Sequence, residues 1–159
     1  MRIREAGPED VPALLSLMLE MERFYAGESV TDPATAEARL SARFPLPDGS
    51  VVLLAEDHAP LGFAALFRMF PGSGLQSVWF LKELFVSAQA RDRGVGERLL
   101  RAAAAGVLAR GGRRLEFTTG GDNLGAQRFY ARHGVPAIDK VFYRLEEAEL
   151  ERFAGERPD

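Results

Sequence analysis

The chain contains no cysteine, which excludes a disulfide framework, a Cys-ligated metal and a thiol nucleophile. His58 and His133 have no second ligand at metal spacing, so no metal site is expected. No apolar run approaches membrane-spanning length, and Met1-Arg2-Ile3-Arg4-Glu5-Ala6-Gly7 lacks the apolar core of a signal peptide. The expectation is a cytoplasmic protein without a membrane partner. Excess positive charge is also absent. The net charge is -3, which argues against a general nucleic-acid binder. Gly-Lys-Ser/Thr occurs nowhere, so there is no P-loop, and Leu99 stands where a dinucleotide fingerprint would carry its third glycine. Lysine is confined to positions 82 and 140.

What is present fits one globular domain over residues 1–159, with a peripheral charged tail after about 147: hydrophobic residues make up 47% and charged residues 27%. Residues 1–5 read as a strand, followed by a turn at Gly7-Pro8-Glu9-Asp10. A helix then places Val11, Leu14, Leu15 and Met18 on one face. Asp32-Pro33 is an N-cap followed by proline at the first helical position, and that second helix runs to about Phe44. Val51–Glu56 and Leu61–Phe70 read as a hairpin, and residues 77–86 as a further strand. Helices at roughly 95–110 and 124–133 enclose a strand at 115–119. Val141–Leu145 reads as a last strand, with an exposed helix after Glu146.

The most informative stretch is Arg91-Asp92-Arg93-Gly94-Val95-Gly96, between an apolar strand and a helix start. Backbone N–H groups at a helix start lack intrahelical partners, and the helix dipole favours negative charge there. Glycine admits a close approach of phosphate, and arginine adds fixed charge. The stretch points to a diphosphate-bearing cofactor. About thirty residues on comes Asn123-Leu124-Gly125-Ala126-Gln127-Arg128-Phe129-Tyr130-Ala131-Arg132-His133-Gly134. Asp122 or Asn123 can cap that helix, small Ala126 leaves room for a ligand chain, and Tyr130 lies one turn further on the same face.

R-x-x-G-x-G followed by N-x-x-A-x-x-x-Y-x-x-x-G resembles the paired motifs of the GNAT superfamily of acetyl-CoA-dependent N-acetyltransferases. The resemblance implies an α/β (α+β) fold, with a central mixed, mainly antiparallel sheet of 6–7 strands and helices on both faces. The implied order is β-α-α-β-β-β-α-β-α-β. The strands at 77–86 and 115–119 would lie parallel and splay apart, freeing backbone groups for pantetheine. Acetyl-CoA would be held by Leu84, Phe85, Val86, Arg91, Arg93, Gly94, Val95, Gly96, Asn123, Ala126 and Tyr130. The partner implied is a small-molecule amine or amino-acid-like acceptor; relatives are often dimers, and whether this chain forms a homodimer is left open. A catalytically weak acyl-CoA-binding module and a protein or peptide N-acetyltransferase are the alternatives.

The transfer requires a neutral amine, although a free alkylamine has a pKa of about 10.4. It also requires a donor to the developing oxyanion and a proton for the departing thiolate. By the resemblance, N–H groups near Leu84–Val86 supply the donor and Tyr130 is the general acid. Glu83, ionisable in an apolar strand, is the candidate base, through water. Relatives that acetylate polyamines tend to read Leu-Glu-Asp where this chain has Leu81-Lys82-Glu83, which argues against a highly cationic acceptor. Strand alternation places Lys82 and Glu83 on opposite faces. Tyr25, Phe67 and Trp79, with Phe24 and Phe70, are aromatic candidates for the acceptor side. Glu20, Glu22 and Glu28 are acidic groups that can attract an amine.

Overall fold

The computed structural model describes residues 1–27 and 30–155, which fall into two compact units, Met1–Gly120 and Gly121–Asp159. The first unit holds β1 (Arg2–Glu5), α1 (Val11–Ala26), α2 (Pro33–Ser41), β2 (Val51–Asp57), β3 (Ala59–Met69), β4 (Val78–Val86), α3 (Val95–Ala109) and β5 (Leu115–Glu116). The second holds α4 (Leu124–Arg132) and α5 (Glu147–Gly155). Among the described residues, no helix is long and apolar enough to cross a membrane.

The sheet order is β1-β2-β3-β4-β5, antiparallel throughout except for the parallel β4–β5 pair. Strand alternation gives it two apolar faces. On one, Val52, Leu54, Phe63, Ala65 and Phe85 pack with Leu14 and Leu17 of α1. On the other, Val51, Leu53, Leu66 and Trp79 meet Ala103, Gly106 and Val107 of α3. Each fully buried Phe or Leu in these layers contributes about 1.5–3 kcal/mol by leaving water. Gly112, just past α3, lets the layer close: a Cβ there would stand 2.6 Å from the Trp79 ring. Asp32 caps α2 as its sequence foretells, accepting from the N–H groups of Ala34 (3.2 Å) and Thr35 (2.9 Å).

The acidic turn before α1 is tied to the sheet by Arg4. Its guanidinium donates to both carboxylate oxygens of buried Asp10 (2.6 and 2.7 Å) and to Glu56 (2.8 Å). Asp10 also accepts from the Gly7 N–H at 2.9 Å. The Arg4 hydrogen bonds hold the Asp10 carboxyl below the usual carboxylate range, against the opposing effect of burial. A folded-state pKa lowered in this way stabilises fully above the unfolded value of about 3.9, and the contribution is lost as pH falls below it. Asp10→Asn is therefore expected to lower the melting temperature at pH 7, with the gap to wild type closing below about pH 4. Thermal melts across pH 2.5–7 check this; a gap that does not change with pH would remove the linkage.

The expected architecture changes at its C-terminal end. Among the described residues the sheet has five strands rather than 6–7, and after α4 the last element is a helix, α5, where the expected order ends on a strand. Val141–Leu145 forms no strand. Val141, Phe142 and Tyr143 are apolar in succession, the pattern of a strand covered on both faces, but a strand also needs a ladder. Among the described residues of the second unit, no other extended segment supplies one. β5 is likewise shorter than the expected 115–119, pairing with β4 only at Trp79↔Leu115 and Phe80↔Glu116.

Candidate active site

β4 leads into the loop through a short turn. The Ser87 N–H bonds the Leu61 carbonyl (2.9 Å) and the Ala90 N–H bonds the Ser87 carbonyl (2.8 Å). Asp92 (φ 59°) and Gly94 (φ 71°) are both left-handed, and turns of that kind aim successive N–H groups into an anion-binding concavity. Gly94 is the N-cap of α3 and, as a glycine, brings no capping side chain to that helix. A Cβ at Gly94 would meet nothing within 4 Å, so the space before the helix start is open. Val95 is buried and offers a ligand only its backbone, while Arg91 and Arg93 are exposed. Glu97, the acidic residue of the first turn, is paired with Arg101 at 2.9 Å. The donor set matches a diphosphate: an uncapped helix N-terminus, a turn of convergent N–H groups and two guanidiniums.

Among the described residues, β4 beyond Phe80 pairs with β3 alone, so no strand is paired along the other edge of Leu81–Val86. This is the open edge that the expected splay requires. Its cause lies in the register. Leu66 pairs with Leu81 and the adjacent Ala65 with Glu83, leaving Lys82 as an extra residue in a bulge. A bulge bends the strand and shifts the phase of its side chains. Trp79 and Leu81 consequently face α3, whereas Glu83 and Phe85 face α1. The expectation that Lys82 and Glu83 lie on opposite faces is corrected: Lys82 Nζ donates to Glu83 Oε1 at 2.7 Å. The Lys82 side chain is 61% exposed and that of Glu83 30%.

Phe67, which pairs with Phe80, shares the face of Glu83 and is 37% exposed. Tyr25 is exposed at the end of α1, edge-on to Phe24 with ring centroids 5.1 Å apart. Trp79 does not join them. It is 2% exposed, enclosed by α3 and Gly112, and it leaves the acceptor set. Two of the acidic candidates are also otherwise engaged. Glu22 accepts from the N–H (2.8 Å) and hydroxyl (3.0 Å) of Thr31. Glu20 accepts from the Ala88 N–H (2.7 Å) and the Ser87 hydroxyl (3.2 Å). Glu28 lies outside the described residues.

The second unit carries the second motif. Asn123 is the N-cap of α4, its side-chain oxygen accepting from the Ala126 N–H at 3.0 Å. One lone pair of that oxygen is thus engaged in capping the helix, and the amide N–H groups are the donors that Asn123 can offer a ligand. Ala126 and Tyr130 are half-buried, four residues apart on one helix face. The Tyr130 ring meets Phe129 edge-on, with centroids 5.2 Å apart.

Residues 15–135, which span both motifs, match the acetyltransferase (GNAT) family. The chain is a GNAT acetyltransferase. It is 33% identical over 135 residues to the uncharacterized N-acetyltransferase YhfO of Bacillus subtilis, covering 84% of this chain and 89% of that one. Integron cassette protein VCH_CASS6, from the mobile metagenome of V. cholerae, superposes with a TM-score of 0.89 at 30% identity, over 98% of both chains. The aminoglycoside N-acetyltransferase AAC(6')-Iy, solved in complex with CoA, shares the fold at a TM-score of 0.74 and 20% identity, over 92% of this chain and 94% of that one. This GNAT enzyme is thus an N-acetyltransferase of the acetyl-CoA-dependent class. Its loop at 91–96 and its open β4 edge stand in the unit that holds the sheet.

Proposed function

We propose that the enzyme transfers the acetyl group of acetyl-CoA to the primary amine of a small-molecule or amino-acid-like acceptor. The observation that carries this reading is the uncapped start of α3, preceded by the left-handed pair Asp92 and Gly94 and flanked by Arg91 and Arg93. Acetyl-CoA, when bound, supplies the acetyl group as an activated thioester. Arg91, Arg93 and the N–H groups of Gly94, Val95 and Gly96 hold its diphosphate. The open edge at Leu84, Phe85 and Val86 hydrogen-bonds the pantetheine arm and presents an N–H to the thioester carbonyl oxygen. The family resemblance assigns Asn123 and Ala126 of the second motif to the pantetheine arm.

Glu83 takes the proton from the acceptor ammonium through water, and the Tyr130 hydroxyl gives one to the departing sulfur. A phenol, with a pKa of about 10, carries that proton at neutral pH. Tyr25 and Phe67 supply apolar surface on the acceptor side. Lys82 and Glu83 form a neutral pair in place of two carboxylates, which favours an acceptor with a single ammonium over a polycation.

The test is calorimetric titration with acetyl-CoA, followed by thiol release across a panel of small primary amines and peptides. Saturable binding and turnover of at least one small amine, faster than any peptide, are expected. Binding without turnover would instead make the chain an acyl-CoA-binding module, the reading that the engaged Glu83 carboxylate favours next. Folded protein that binds no acetyl-CoA would overturn both.

A further inference from the structure

We propose that Glu20 and Phe24 are positioning residues for the cofactor loop, forming a clasp on α1 that sets where Arg91 stands. The proposal rests on the diphosphate reading of that loop. Glu20 and Phe24 lie four residues apart, so they share one face of α1. Glu20 reaches a partner 68 positions along the chain: its carboxylate accepts from the Ala88 N–H at 2.7 Å and from the hydroxyl of buried Ser87 at 3.2 Å. No side chain of its own caps the turn Ala88–Ala90, and Glu20 does so from another element. The exit direction of the chain from β4 is thereby fixed immediately before Arg91.

One helical turn later, the Arg91 guanidinium lies over the Phe24 ring, 4.7 Å from its centroid. Phe24 is 58% exposed, too open for its ring to serve mainly as core. A ring partner draws on the charge of the guanidinium and offers no carboxylate or carbonyl oxygen to its N–H donors. Phe24 therefore holds the cation without consuming the hydrogen bonds that a diphosphate needs. The Glu20 charge, for its part, is spent on the Ala88 N–H and Ser87 hydroxyl beside the loop.

Steady-state kinetics with acetyl-CoA and with acetyl-pantetheine, which lacks the diphosphate, tests the clasp. Phe24→Leu should raise KM for acetyl-CoA about two- to fivefold, the effect of an exposed cation–π contact, with kcat and the KM for acetyl-pantetheine unmoved. Phe24→Tyr should restore the wild-type value. Glu20→Ala should raise KM for acetyl-CoA about tenfold, and Glu20→Gln, which keeps an acceptor for Ala88, should recover most of it. In an Arg91→Ala background, Phe24→Leu should add nothing. An equal rise for both donors, or a Phe24→Leu effect that persists without Arg91, would overturn the clasp. Wild-type enzyme with one KM for both donors would overturn the diphosphate reading itself.

Discussion

Gly94→Glu is expected to weaken acetyl-CoA binding by about a hundredfold or more, equivalent to roughly 2.7 kcal/mol, while the protein stays folded. Position 94 is left-handed at φ 71°, where a residue with a Cβ pays about 1–2 kcal/mol in backbone strain. That strain alone would cost stability, not affinity. The affinity is lost because a carboxylate would stand at the uncapped start of α3, where the dipole and convergent N–H groups otherwise favour an anion. A Cβ at position 94 meets no protein atom within 4 Å, so the new side chain fits beside the helix start without displacing its neighbours. Gly94→Ala separates the two effects. It should lower the melting temperature by about 2–8 °C and change affinity much less than Gly94→Glu. Calorimetric titration beside thermal melts measures both. Folded Gly94→Glu protein that binds like wild type would show the loop to be only a turn.

Tyr130→Phe should reduce kcat by about a hundredfold, within the range for losing a general acid, and leave acetyl-CoA affinity nearly unchanged. Removing the hydroxyl keeps the ring and its edge-on contact with Phe129, so the helix face is preserved. A purely positional role predicts the same loss with every donor. A proton-donor role predicts that the loss shrinks with an aryl thioester, whose thiolate leaves without a proton. Pre-steady-state and steady-state rates with both donors decide the matter. Wild-type turnover by Tyr130→Phe would place the proton source elsewhere.

The parts of the fold that local chemistry dictates were legible from residues alone. Asp32-Pro33 announces a helix start, the runs Val51–Glu56 and Leu61–Phe70 a hairpin, and the loop at 91–96 a strand-to-helix turn; each forms, with the second hairpin strand running Ala59–Met69. The bulge was not legible, because Leu81-Lys82-Glu83 reads as ordinary strand, and only pairing with β3 shows that β4 is one residue too long. Trp79 was misplaced for the same reason. An aromatic residue before the bulge faces α3, and the phase of a strand cannot be known ahead of its partner. Val141–Leu145 fails in the opposite sense: it has strand composition but no ladder. Glu20 looked like one charge among several on α1. The Ser87 and Ala88 groups that engage it come from beyond a helix and three strands.

Lys82 illustrates a separation of shape from charge. The gap beside β4 arises from a counting mismatch between neighbouring strands, and a count is indifferent to which side chain fills the surplus place. Lysine can stand there, where polyamine-acetylating relatives tend to carry a carboxylate, without closing the gap. Position 82 is thus a place where the electrostatic preference of the enzyme can drift while its architecture is held constant.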